Sequence, residues 1–207
     1  MKKLVSFLLV GCVALGLTAC GVGPAPEDGE LISRATLLLE ASKPYNRLLY
    51  EEGIPYTGEE ISNGYYLADK EALGQMGIHT LGDLFTQMSG IWTQSYVDNL
   101  RETQLFKAIY GTNSLMSQAW CVDGKDGILV MGDEMPLKTD PVEYHYDTLK
   151  VEDKEAKRAR LSLTVTVTGE NGETADLTLY VSMAKQGDTW LLTSPTVARF
   201  PTQGDRQ

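Results

Sequence analysis

Catalytic vocabulary is scarce in this sequence. Of 207 residues, two are histidines (His79 and His145) and three are cysteines (Cys12, Cys20 and Cys121). Neither histidine falls in an H-E-x-x-H pattern, and no second ligand stands at metal spacing from either. His145, inside Tyr144-His145-Tyr146, reads as a packed or solvated strand residue. The G-x-S-x-G and G-x-x-x-x-G-K-[ST] patterns are both missing. These absences give no enzyme class a foothold, and no cofactor and no metal are expected. A Cys121–His145 nucleophile pair would have to be assembled by the fold.

Basic charge is scarce too. The chain holds 18 Lys and Arg against 28 Asp and Glu, a net charge of −10. Phosphate binding needs a clustered basic surface, so nucleic acid is not an expected partner. The same balance speaks against electrostatic docking on anionic lipid. Hydrophobic residues make up 43% of the chain, which excludes the composition of disorder.

One long apolar run exists, and it sits at the start. Met1-Lys2-Lys3 forms a short basic region, residues 4–17 (LVSFLLVGCVALGL) are apolar, and Leu17-Thr18-Ala19-Cys20 follows. The run is too short for a permanent membrane span and reads as a secretory signal. The Leu-Thr-Ala-Cys box resembles the lipobox of bacterial lipoproteins. That resemblance implies cleavage before Cys20 and lipidation of its thiol. It also implies attachment to the membrane through Cys20 and an extracytoplasmic location. Stable attachment takes two or more acyl chains. The alternative is a free secreted protein cut by ordinary signal peptidase. Without residues 1–19 the chain carries 16 basic and 28 acidic residues, a net charge of −12. Residues 20–148 carry all of that excess, since residues 149–207 hold 8 of each sign. With Cys12 removed and Cys20 lipidated, Cys121 has no disulfide partner. Beside Trp120 and Val122 it reads as a small buried hydrophobe.

The expected organisation is a signal at 1–19, a flexible tether at 20–29, one α+β domain at 30–200 and a tail at 201–207. Residues 30–52 have a helical pattern with Leu31, Ala35, Leu38 and Leu39 on one face. Pro44 should end or kink that helix, Leu48 and Leu49 resume its face, and Gly53 closes it. Residues 53–63 read as loop and 64–69 as a strand. Thr80 with Asp83 looks like an N-terminal cap for a helix carrying Leu81, Leu84, Phe85 and Met88. Residues 93–101 form the next helix, with Tyr96, Val97 and Leu100. Two strands, 117–122 and 128–131, should flank a turn at 123–127, and 132–141 should be loop. That turn has the look of a calcium loop but lacks the D-x-[DN]-x-[DN]-G register.

The last third is the clearest. Strands are expected at 144–152, 158–168, 174–184 and 189–194. Leu161, Leu163, Val165 and Val167 alternate with Ser162, Thr164, Thr166 and Thr168. Leu177, Leu179, Val181 and Met183 do the same across the next strand. Asn171-Gly172 and Gly187-Asp188 supply the turns. The result is a curved antiparallel sheet with one apolar face, which the N-terminal helices must cover.

The ending at residues 181–197, with Gly187-Asp188-Thr189-Trp190-Leu191-Leu192, resembles the last hairpin of NTF2-like and cystatin-like domains. Across residues 30–197 the layout is similar to a family of secreted Gram-positive proteins. It combines a leading helix, Gly64-Tyr65-Tyr66-Leu67-Ala68-Asp69, the helix start at 79–85, the hairpin at 123–127 and the Trp-bearing last strand. That family includes the IseA-type inhibitors of cell-wall DL-endopeptidases. The resemblance implies an α+β domain of NTF2-like or cystatin-like form and inhibition of cell-wall hydrolases.

Paired acids at Glu51-Glu52 and Glu59-Glu60 read as solvated. The aromatics Tyr65, Tyr66, Trp92, Tyr96, Trp120, Tyr144 and Tyr146 are expected near the helix–sheet junction, as core or as a pocket or interface. Three functions stay open. The first is a lipid-anchored extracytoplasmic binding protein whose acidic face attracts a basic partner such as a cell-wall hydrolase. The second is an envelope lipoprotein with no ligand of its own. The third is an NTF2-like small-molecule binder or enzyme, which needs a buried carboxylate or histidine facing the aromatics.

Overall fold

The structure, a computed structural model, describes residues 25–110, 116–132 and 135–201. Cys20, the predicted signal, most of the predicted tether and residues 202–207 lie outside them. No described helix is long and apolar enough to cross a membrane.

Helix α1 spans Asp28–Asn46, and a π-helical turn carries it on over Arg47–Glu51. The expected break at Pro44 does not occur. Proline removes one donor from the ladder. Buried residues on both sides of it (Leu38 and Leu39 before, Tyr45, Leu48 and Leu49 after) hold the helix against the core. The widened turn follows three residues later. Gly53, at φ +88°, ends it as expected.

Next comes a hairpin of β1 (Tyr56–Ser62) and β2 (Tyr65–Ala68). β1 replaces the loop expected at 53–63. All seven of its residues are exposed, so no burial alternation marked it as a strand. Asn63 and Gly64 turn the chain with φ of +51° and +82°, the positive pair a tight two-residue hairpin turn requires. Helix α2 (Lys70–Gln75) was not expected either; the Asp69 carboxylate caps it by accepting from the Glu71 and Ala72 amides. Helix α3 (Leu81–Met88) starts where Thr80 and Asp83 form a reciprocal capping box. Helix α4 (Gln94–Arg101) follows.

Two short strands, β3 (Ile109–Tyr110) and β4 (Met116–Ser117), pair with each other. β5 (Cys121–Gly124) and β6 (Gly127–Met131) form the next hairpin. Its turn is only Lys125-Asp126, because Gly124 pairs with Gly127. Asp123 therefore stands in a strand, where its Oδ1 accepts from the Leu81 amide at 2.9 Å. The strand expected at 117–122 is divided between β4 and β5.

The C-terminal meander comprises β7 (Val142–Lys154), β8 (Arg158–Thr168), β9 (Thr174–Gln186) and β10 (Thr189–Leu192). Its order is β10-β9-β8-β7, antiparallel throughout. Leu161, Leu163, Val165 and Val167 are buried as the alternation demands. Two register shifts in β7, between His145 and Lys150 and between Val151 and Asp153, mark bulges that bend the strand. The β8–β9 connection is longer than an Asn-Gly turn, since Thr168 pairs with Thr174 and only Gly172 has positive φ.

The architecture is α+β, as expected, but it contains a second four-stranded antiparallel sheet, ordered β1-β2-β6-β5. α1 packs on β7 and β10. Backbone bonds from Thr93 to Leu192 and from Leu192 to Ile91 stitch the α3–α4 junction to the free edge of β10. The core between these layers holds Trp92, Leu84, Met88, Leu163, Met183 and Leu192, each essentially solvent-free.

Candidate functional site

The aromatic residues expected at one junction fall into separate groups. Trp92 is core: its ring meets Tyr45 edge-on at 5.9 Å and Tyr96 at 5.6 Å, and its indole donates to the Ser194 carbonyl. Tyr96 in turn shares a 2.6 Å hydroxyl–hydroxyl bond with Tyr50, and burial raises both phenols. Trp120 is buried against Gly53, and no described group accepts from its Nε1. Tyr65 donates to the Ala119 carbonyl. Tyr66 stacks on Tyr56, with ring centroids 4.8 Å apart. Tyr144 and Tyr146 pair at 5.9 Å on β7, and the Lys43 ammonium lies 5.6 and 5.2 Å from their centroids. The structure thus brings Tyr144 and Tyr146 together, and Tyr65 and Tyr66 are neighbours on β2. It does not gather Tyr65, Tyr66, Trp92, Trp120, Tyr144 and Tyr146 into one pocket.

Beneath Tyr144 lies a polar knot. The Asn46 amide donates to the hydroxyls of Tyr144 and Thr196 at 3.2 and 3.1 Å. Tyr144 donates to the Thr196 carbonyl, and Ser42 shares a 3.3 Å bond with the Thr196 hydroxyl. Ser42, Asn46 and Thr196 are fully buried, so these bonds offset what would be a desolvation cost of about 1–3 kcal/mol per unpaired group. Asn46 Oδ1 has no partner among the described residues. The Tyr146 hydroxyl is also buried without a bond of regular geometry. Burial and the nearby Glu40 carboxylate push it up, while Lys43 holds Glu40 itself down.

Glu51, expected to be solvated, is half-buried in the π-helical turn. Burial pushes its carboxyl up to about 7; Glu52 adds to the shift and Arg47 opposes it. Its charge is felt by Tyr144. Pattern reading missed this because the widened turn rotates Glu51 away from the face that Glu52 shares with Arg47, where those two form an ion pair.

Cys121 is a buried hydrophobe, as expected; burial drives its thiol far up, with Asp123 adding. It stands in the β1-containing sheet. His145 is in the other sheet, with Nε2 on the Thr166 hydroxyl at 2.7 Å, so no Cys–His pair exists. His79 is exposed. No group of three or more His, Cys, Asp or Glu able to hold a metal occurs among the described residues.

β1 is exposed at every residue. It is the outer edge of its sheet, and its pairing with β2 is interrupted between Thr57 and Ser62. Over that stretch it displays Glu59, Glu60 and Ile61, the last 55% exposed. Glu60 Oε1 accepts from the Gly64 amide at 2.7 Å, which fastens the turn. An edge strand offers unpaired backbone groups as well as side chains, and acidic residues on it discourage pairing with another copy. The Asn63-Gly64 dipeptide could have revealed this hairpin from sequence.

The chain matches no protein-family model and no curated protein.

Proposed function

We propose that this protein is a lipid-anchored extracytoplasmic binding module that presents the acidic β1 edge to a basic protein, of the kind a cell-wall hydrolase surface offers. In this reading Cys20 carries the lipid, the tether expected at 20–29 stops at residue 27 because α1 already begins at Asp28, and the domain is an NTF2-like or cystatin-like variant. The observation that carries it is β1, every residue of which is exposed, with Glu59 and Glu60 beside Ile61. Carboxylates there would speed encounter with a cationic surface, and Ile61 and Tyr56 would supply apolar contact. The helix-covered meander, whose last strand carries Trp190, supports the fold part of the proposal. The test is peptidoglycan digestion by a DL-endopeptidase with increasing amounts of the protein. Dose-dependent slowing that disappears at high salt is expected. Unchanged digestion at every dose overturns the inhibitor reading.

Glu51 favours a second reading, that of a small-molecule binder or enzyme. A carboxyl that titrates near 7 beside Tyr144 is suited to proton transfer. It lines no described cavity, which makes this the weaker of the two.

A further inference from the structure

A groove of about 630 Å³ opens between α4 and the end of the meander, in a different sheet from β1. Its charged lining is balanced. Arg158 and Arg160 come from β8, Asp153 from the end of β7, and Glu155 from the turn that follows. None of the four is in an ion pair among the described residues. Asp153 and Arg160 are paired across the ladder, and the Glu155 amide bonds the Arg158 carbonyl at 2.7 Å. The Arg160 guanidinium instead rests on the Tyr180 ring, 4.0 Å from its centroid, which fixes its plane without using its donors. Thr93, Ser95 and Asn99 line the opposite wall, and Tyr96 and Ala184 add apolar surface.

We infer that this groove binds short zwitterionic peptides. A terminal carboxylate fits the planar donors of Arg158, and carboxylate–guanidinium pairs are the strong, geometrically selective kind. A terminal ammonium fits Asp153 and Glu155. Peptide amides between them meet the hydroxyls and the Asn99 amide of the α4 wall, and small side chains meet Tyr96 and Ala184. The volume lies within the ordinary range for small-ligand sites. A simple anion would leave the two carboxylates unanswered, and a simple cation would leave the two guanidiniums unanswered.

The test is a nuclear magnetic resonance titration of the protein with trialanine, its C-terminal amide and its N-acetyl form. Trialanine is expected to bind saturably, with a dissociation constant on the order of 1 mM, shifting the amides of residues 93–99 and 182–184. Blocking either terminus should weaken binding about tenfold, the loss of one charged hydrogen-bonded contact. Arg158→Gln should erase the difference between acid and amide, and Asp153→Asn should reduce the difference between free and acetylated amine. Both residues are exposed, so both variants should keep the wild-type melting temperature. Absence of saturable binding, equal binding of all three ligands, shifts confined to other residues, or unchanged discrimination in both variants would overturn the inference.

Discussion

Replacing Glu51 by glutamine should stabilise this protein at high pH and leave it unchanged at low pH. The carboxyl titrates near 7 in the folded chain against an ordinary 4.5, with burial as the largest cause. Folding therefore raises its affinity for a proton. Below about pH 4.5 the group is protonated in both states and costs nothing. Between 4.5 and 7 the unfolded chain ionises first, so stability falls as pH rises. Above 7 the penalty is constant. A gap of that size corresponds to about 3 kcal/mol for a fully buried group. Glu51 is half in solvent, and screening cuts the figure to about 1–2 kcal/mol. Glutamine keeps the shape and removes the charge. Urea unfolding at pH 8 should show E51Q more stable by about 1–2 kcal/mol, or about 2–8 °C in melting temperature for a domain of this size. At pH 4 the two curves should coincide. A variant no more stable at pH 8, or equally stabilised at both pH values, would refute the burial argument.

Three further outcomes follow from packing and capping. Leu163→Ala removes a solvent-free side chain from the centre of β8 and should cost about 2–5 kcal/mol in chemical denaturation. Thr80→Ala breaks the α3 capping box and should cost about 1 kcal/mol by the same measurement, while leaving α4 intact by hydrogen exchange. Gly132→Ala would drive a methyl group into the Tyr66 ring. The ring must shift from its place on Tyr56, costing about 1–3 kcal/mol and changing the exposure of both tyrosines in ultraviolet difference spectroscopy.

What could be read from the sequence was what is local. Alternation across residues 161–168 and 177–183 placed β8 and β9, because one face of each strand must be buried and the period is two. Thr80 and Asp83 placed the start of α3, because a cap is a contact over three residues. Pairing partners are not local. Nothing near Tyr65–Ala68 says that it joins β6 rather than the meander, so the second sheet was invisible. β1 buries nothing and so has no pattern to show. Its evidence was the Asn63-Gly64 turn, the same signal that was read at Asn171-Gly172, where the actual connection is wider. Pro44 misled because propensity yields to burial when five large side chains anchor the helix around it. Glu51 could not be separated from Glu52 until the π-helical turn set them in different surroundings.

The central claim is that the acidic β1 edge captures a basic partner. It is tested most directly by the association rate of a cell-wall DL-endopeptidase with the protein and with its Glu59→Lys/Glu60→Lys variant, each at low and high salt. The account predicts an association rate about tenfold or more slower for the variant at low salt, with the difference vanishing at high salt. Equal rates and equal salt dependence for the two proteins would contradict it.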